Sequence, residues 1–190
     1  GKTHEAQADI AAADHPGVRV FQAKRSPAAT PQSDINGEWF VSSPETAGSF
    51  TAAGYFFALK LHQELGVPVG ILSSSWGGKP VQTFTSREAL ASIPEGQTLL
   101  KAHDQSIANY DPEIAKKQTK AALKKHEEAL AKWQTLPKEG RRKAPRKPEP
   151  IGDPAITAGR PTVLFNGMIN PFVGYPMRGA IWYQGEANAK

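Results

Sequence analysis

The chain has 190 residues, 39% of them hydrophobic and 22% charged, enough for one domain with one sizeable core. It has no apolar run of about eighteen residues, which excludes a membrane-spanning helix, and no cysteine, which excludes disulfides and thiolate metal sites. The net charge of +5 is uneven: residues 112–147 carry 12 Lys and Arg against 4 Asp and Glu, a local +8, while the remainder nets −3. An argument for polyanion binding therefore applies to that segment alone.

In chain order, Glu5 to Ala13 reads as a short helix with Ala6, Ile10 and Ala13 on one face, ended by His15-Pro16-Gly17. Val18 to Ala23 alternates and is β-branched, which predicts a strand. Lys24 to Thr46, rich in Pro, Ser, Asp and Gly, reads as a loop anchored by Trp39 and Phe40. Ser49 to Leu65 predicts a helix with Phe50, Ala53, Phe57, Leu61 and Leu65 on its apolar stripe and Ala58 at the edge. Ser49 is the candidate N-cap, and Gly66 with Pro68 the stop. Val69 to Leu72 is a short buried-strand run, so the chain opens with a βαβ unit and a parallel sheet.

Val81 to Ser86 leads away from a Gly pair, and Thr85 or Ser86 caps a helix through Ile93 that Pro94 and Gly96 stop. Asp111 to Trp133 is strongly helical, but its apolar content is mostly Ala, with Leu123, Leu130 and Trp133; such a helix stays largely solvated. Pro137 to Pro150 reads as a mobile, basic, Pro-rich loop. Pro161 to Phe172 resumes apolar periodicity as a helix, and Gly179 to Tyr183 reads as a final buried strand. The histidines His4, His15, His62, His103 and His126 lack metal-ligand spacing and read as surface or packing residues.

Two stretches carry chemistry. Each has an apolar strand run followed by small and polar groups: Val69 to Leu72 leads into Ser73-Ser-Ser-Trp-Gly-Gly-Lys79, and Gly179 to Tyr183 leads into Gln184-Gly-Glu-Ala-Asn188. In an open α/β sheet, ligands bind at the carboxyl ends of strands. Gly185 permits a sharp turn, and Gln184 and Asn188 can each aim a carboxamide N–H at a developing oxyanion. The plainer alternative is a strand ending in a polar turn, with Glu186 favouring a helix N-terminus. Ser73, Ser74 and Ser75 lack the Gly-x-Ser-x-Gly setting and a local His, and read as strand-end hydrogen bonders.

Together, Leu65-Gly-Val-Pro-Val-Gly-Ile…Ser-Ser-Trp-Gly-Gly78 and Phe165-Asn-Gly-Met-Ile-Asn-Pro…Ile181-Trp-Tyr-Gln-Gly-Glu-Ala-Asn188 resemble the sialate O-acetylesterase family of SGNH hydrolases. The match runs from about Gly17 to the end, apart from a stretch near 104–160. The resemblance implies a three-layer, flavodoxin-like α/β fold with a parallel sheet, and serine-dependent removal of O-acetyl groups from sialic acid or an acetylated polysaccharide. It also implies a secreted or periplasmic whole protein, no cofactor or metal, and no nucleic-acid or membrane partner. It assigns an oxyanion hole to the Gly77 and Gly78 backbone and to Gln184, with Asn188 as the other candidate donor. Gly185 and Glu186 would brace that loop. Lys79 departs from the small hydroxyl residue of the family.

The family's Gly-Gln-Ser-Asn block and its Asp-x-x-His block are absent. With a chain that starts at Gly1, without Met or signal peptide, the expectation is a fragment, incomplete at both ends and inactive alone. Residues 1–190 would form one partial domain with a basic insertion at about 104–160. The alternative expectation is a non-catalytic module that uses residues 112–147 on acidic polymers or nucleic acid.

Overall fold

The computed structural model describes residues 4–137 and 143–189. After helix α1 (Ala6–Ala11), strand β1 (His15–Ala23) forms the centre of a three-stranded sheet. Val18 and Val20, two residues apart and so on one face, are fully buried. They lie beneath helix α2 (Ala52–Leu65), whose Tyr55 and Ala58 join Val18 and Ala13 in one cluster. Strand β3 (Val69–Ser73) runs parallel to β1, from Val18 opposite Val69 to Gln22 opposite Ser73. A parallel pair joined through α2 is the βαβ unit read in the sequence.

The fold is mixed α/β, and several sequence expectations are corrected within it. First, the expected loop over 24–46 contains strand β2 (Gly37–Ser42), antiparallel to β1. The sheet is thus mixed, in the order β2-β1-β3, with one parallel pair. The Trp39 ring, 5.5 Å from that of Phe21, covers the face of Gly70.

Second, α2 buries a different face from the one expected. Gly54, Tyr55 and Ala58 point inward, while Phe57 and Leu65 are 48% and 63% exposed. Tyr55 wins the interior because its hydroxyl meets Ser42 Oγ at 3.3 Å, so a ring with a polar tip fits where Phe57 would leave Ser42 without that contact. The cap also differs: Thr51 precedes the helix, and Ser49 instead accepts a 2.9 Å bond from Gln22 Nε2.

Third, Ser86 does cap helix α3 (Arg87–Ala91) through Ala89 N, but Pro94 does not stop a helix. It begins the next, α4 (Pro94–Ala108), at the first-turn position where a missing N–H costs nothing. Helix α5 (Pro112–Thr135) follows, with Asp111 Oδ1 accepting from Glu113 N and Ile114 N. As expected it is solvated, burying only Ala115. Beyond it residues 138–142 lie outside the described residues, and the chain from Pro145 to Ile151 touches α5 at two points. His126 Nε2 meets the Pro145 carbonyl at 3.1 Å, and Ile151 N donates to Thr119 Oγ1 at 3.0 Å.

Fourth, Gly179–Tyr183 is not a strand. Among the described residues no β pairing reaches it, and Ile181, Trp182 and Tyr183 are 50%, 58% and 88% exposed. An apolar run makes a strand only beside a partner, and Trp182 instead packs edge-on against Phe84. The helix expected over 161–172 is short and irregular: a π-type turn, Phe165–Ile169, then a 3-10 turn, Asn170–Phe172.

Candidate functional site

The carboxyl ends of the parallel strands β1 and β3 open onto two loops, and the 163–172 turn fastens both. Ser74 Oγ donates to the Met168 carbonyl at 2.6 Å, and Ser26 Oγ to the Gly167 carbonyl at 3.1 Å. Asn166 Nδ2 spans the Ala28 and Ala29 carbonyls at 3.1 and 3.0 Å, and Asn170 Nδ2 reaches the Gln32 carbonyl at 2.9 Å. Beneath them Val163, Leu164 and Met168 form a second buried cluster, lined by Ile35, Trp76 and Phe84. Gly167 is required there, because a Cβ would run into the Ser26 carbonyl.

On this floor the two motifs meet. Gln184 Nε2 donates to the Lys79 carbonyl at 2.9 Å, with a longer approach of 3.4 Å to Asn188 Oδ1. Asn188 Oδ1 accepts from Val81 N at 2.8 Å, and Asn188 Nδ2 donates to Gln82 Oε1 at 3.0 Å. Gly185, at φ 147°, starts the tight turn that returns Asn188 N to its carbonyl at 2.9 Å. Gly78 has φ 71°, a conformation open to glycine, with free space around it. Gly77 and Gly78 are both exposed, and no hydrogen bond engages their N–H groups among the described residues. Glu186 is exposed, and its carboxylate makes no brace to another described residue.

Two side chains that the sequence reading passed over stand beside these loops. Trp76 lies under both Arg25 and Lys79, each 5.2 Å from its ring centroid. Arg25 had no local signal, being a lone cation in a polar loop. Asn166 and Asn170 lay inside the recognised motif, yet nothing in their spacing announces a clamp on the β1 loop. Ser74 bonds Met168, and Ser73 closes the β1–β3 pairing, as expected of strand-end serines. Among the described residues, no three His, Asp or Glu side chains converge as metal ligands do. An open cleft of about 240 Å³ lies elsewhere, where the end of α4 meets α5, lined by Tyr110, Gln118 and Arg160.

A parallel β–α–β core with a glycine-bearing loop at the end of β3, fastened to a carboxamide loop from elsewhere in the chain, is an α/β architecture that gathers polar groups at a strand end. The comparisons point the same way. The chain is 29% identical to the sialate O-acetylesterase of Rattus norvegicus over 185 residues, 93% of this chain and 30% of that protein. It is 30% identical to that of Mus musculus over 145 residues, 75% of the chain and 23% of that protein. A solved carbohydrate acetylesterase from Xanthomonas citri superposes with a TM-score of 0.59 at 28% identity, covering 96% of this chain and 28% of that one. No protein-family model matches. The resemblance to sialate O-acetylesterases is thereby shown over most of the chain, at modest identity; the chain spans less than a third of the length of these relatives.

Proposed function

We propose that this chain forms part of a carbohydrate O-acetylesterase, in which a serine attacks the acetyl carbonyl of an acetylated sugar. The observation that carries the reading is the meeting of the two motifs: Gln184 and Asn188 lock onto Lys79–Gln82, directly beside Gly77 and Gly78. Exposed main-chain N–H groups at Gly77 and Gly78 suit the tetrahedral oxyanion, since without side chains the backbone can approach the substrate closely. Gln184 Nε2 donates to the Lys79 carbonyl and reaches Asn188 Oδ1 only at 3.4 Å; on this reading the carboxamide leaves that contact to donate to the oxyanion. Asn188, with both ends of its carboxamide engaged, is the support. Gly185 shapes the turn, and Glu186 is left to face solvent.

On this reading the attacking serine and its His–Asp pair come from outside these residues, for neither block occurs in the sequence. The 190 residues alone then hydrolyse p-nitrophenyl acetate at a background rate. The whole protein, acting on acetylated glycans, is secreted or periplasmic. The test is acetate release from O-acetylated sialic acid and acetylated polysaccharide by the longest protein containing this chain, with labelling by a fluorophosphonate. Release abolished by a label outside Ser73, Ser74 and Ser75 supports the reading; a label on one of those three, or no release from any acetylated sugar, refutes it.

A further inference from the structure

The cleft where α4 ends and α5 begins shares no lining residue with the loops that carry Gly77, Gly78 and Gln184. Its far wall, residues 151–160, is already in place. Ile151 N is held by Thr119 Oγ1 at 3.0 Å, Ala155 N by Asp153 Oδ1 at 2.8 Å, and the Ala158 carbonyl by Thr83 Oγ1 at 3.1 Å. A ligand entering such a cleft need not order its walls first.

The polar groups that line the cleft are unspent. Among the described residues, the side chains of Asn109, Tyr110, Gln118 and Arg160 make no hydrogen bond or ion pair with another residue. Asp111 uses Oδ1 to cap α5, through Glu113 N and Ile114 N, which leaves Oδ2 available. Arg160 and Asp111 thus bring opposite charges to one cleft of about 240 Å³ without pairing with each other. A simple anion meets Asp111 as well as Arg160, and a simple cation meets Arg160 as well as Asp111, so each is attracted and repelled. A ligand that carries both charges satisfies both residues. Exposed Ile114 and Ile151, with Pro154, add apolar surface beside them.

We propose that this cleft is a binding site for an α-amino acid with an aliphatic side chain. Arg160 takes the carboxylate through its planar fork of N–H donors, Asp111 takes the ammonium, and Ile114 and Ile151 receive the side chain. The site stands apart from the esterase reading, and neither depends on the other.

The test is calorimetric titration of the chain with L-leucine, with N-acetyl-L-leucine, which lacks the ammonium, and with L-leucinamide, which lacks the carboxylate. A charge-assisted contact at each end predicts that leucine binds about tenfold or more tighter than either derivative. Asp111→Asn keeps a capping oxygen for α5 while removing the charge. In that variant leucine falls to the affinity of N-acetyl-L-leucine, whose own binding is unchanged. In Arg160→Gln leucine falls to the affinity of L-leucinamide, whose own binding is unchanged. Thermal melts confirm that both variants are folded. Absence of leucine binding, equal affinity for the three ligands, or variants that weaken all three alike or none of them overturns the proposal.

Discussion

The Gln184 carboxamide donates to the main-chain carbonyl of Lys79 at 2.9 Å, across 105 residues of chain. Together with the Asn188 bonds to Val81 N and Gln82 Oε1, it is the fastening between the two polar loops. Asn188→Ala removes both of its bonds and frees the Val81 amide. A typical hydrogen bond is worth about 1 kcal/mol, so amide exchange at Val81 should rise about fivefold or more. Global stability should change little, since the 179–189 segment is mostly exposed. Unchanged exchange at Val81 would show that the loops are held by something else.

Gly78 and Gly167 should respond differently to alanine. At Gly78 nothing would meet a Cβ, and the cost is that of φ 71° alone, about 1–2 kcal/mol. At Gly167 a Cβ meets the Ser26 backbone, which cannot swing aside as a side chain would. Gly167→Ala should therefore cost about 3 kcal/mol or more, while Gly78→Asn should be tolerated better than Gly78→Ala. Urea unfolding of the three variants checks the order; equal losses at the two glycines would contradict it.

His103 makes stability depend on pH. It is 5% exposed, its Nδ1 has no hydrogen-bond partner among the described residues, and burial lowers its pKa from the ordinary 6.5. The adjacent Asp104 carboxylate works against that shift, while Arg160 and Arg87 add to it. As pH falls below 6.5, the unfolded chain takes up a proton that the folded chain refuses, so stability declines with falling pH. Asp104 adds a second decline below its ordinary 3.8, because its hydrogen bonds from Arg87 at 3.0 and 2.6 Å hold its pKa down. His103→Leu should flatten the profile just below pH 6.5, at little cost at pH 7, since an unpaired buried nitrogen is replaced by carbon. Thermal melts across that range that kept the wild-type slope would rule His103 out.

Helix α5 should be separable from the core. It buries only Ala115, and its half-buried positions, Thr119, Ala122, Leu123, His126, Leu130 and Trp133, form one stripe that includes the contacts to Pro145 and Ile151. Excising residues 112–147 should leave cooperative unfolding intact, with the midpoint shifted only modestly. Loss of a cooperative transition would mean that the segment belongs to the core. A steep fall with salt in binding to single-stranded DNA, centred on Lys116, Lys120 and Lys124, would instead favour a binding module.

The sequence made the βαβ core legible because β1 and β3 are short β-branched runs around a helix with a clear glycine stop. It singled out the two polar loops that meet in the structure because small and polar residues follow two apolar runs. Other features depended on partners that a sequence does not display. The alternation around Trp39 was masked by its Pro- and Ser-rich flanks, and β2 emerges only once β1 lies alongside. The inward face of α2 was set by Ser42 and Ala13 meeting Tyr55, against an equally apolar stripe through Phe57. Gly179–Tyr183 has strand composition without a neighbour to pair with. The clamp made by Asn166 and Asn170, and the placement of Arg25 over Trp76, join residues far apart in sequence and leave no periodic trace.

The most direct test of the oxyanion assignment is the kinetics of acetate release by the longest protein containing this chain, wild type against Gln184→Ala. A donor that acts on the tetrahedral oxyanion contributes mainly in the transition state, so kcat should fall about a hundredfold or more with KM nearly unchanged. A raised KM with unchanged kcat would contradict the assignment and leave Gln184 as a clip between loops.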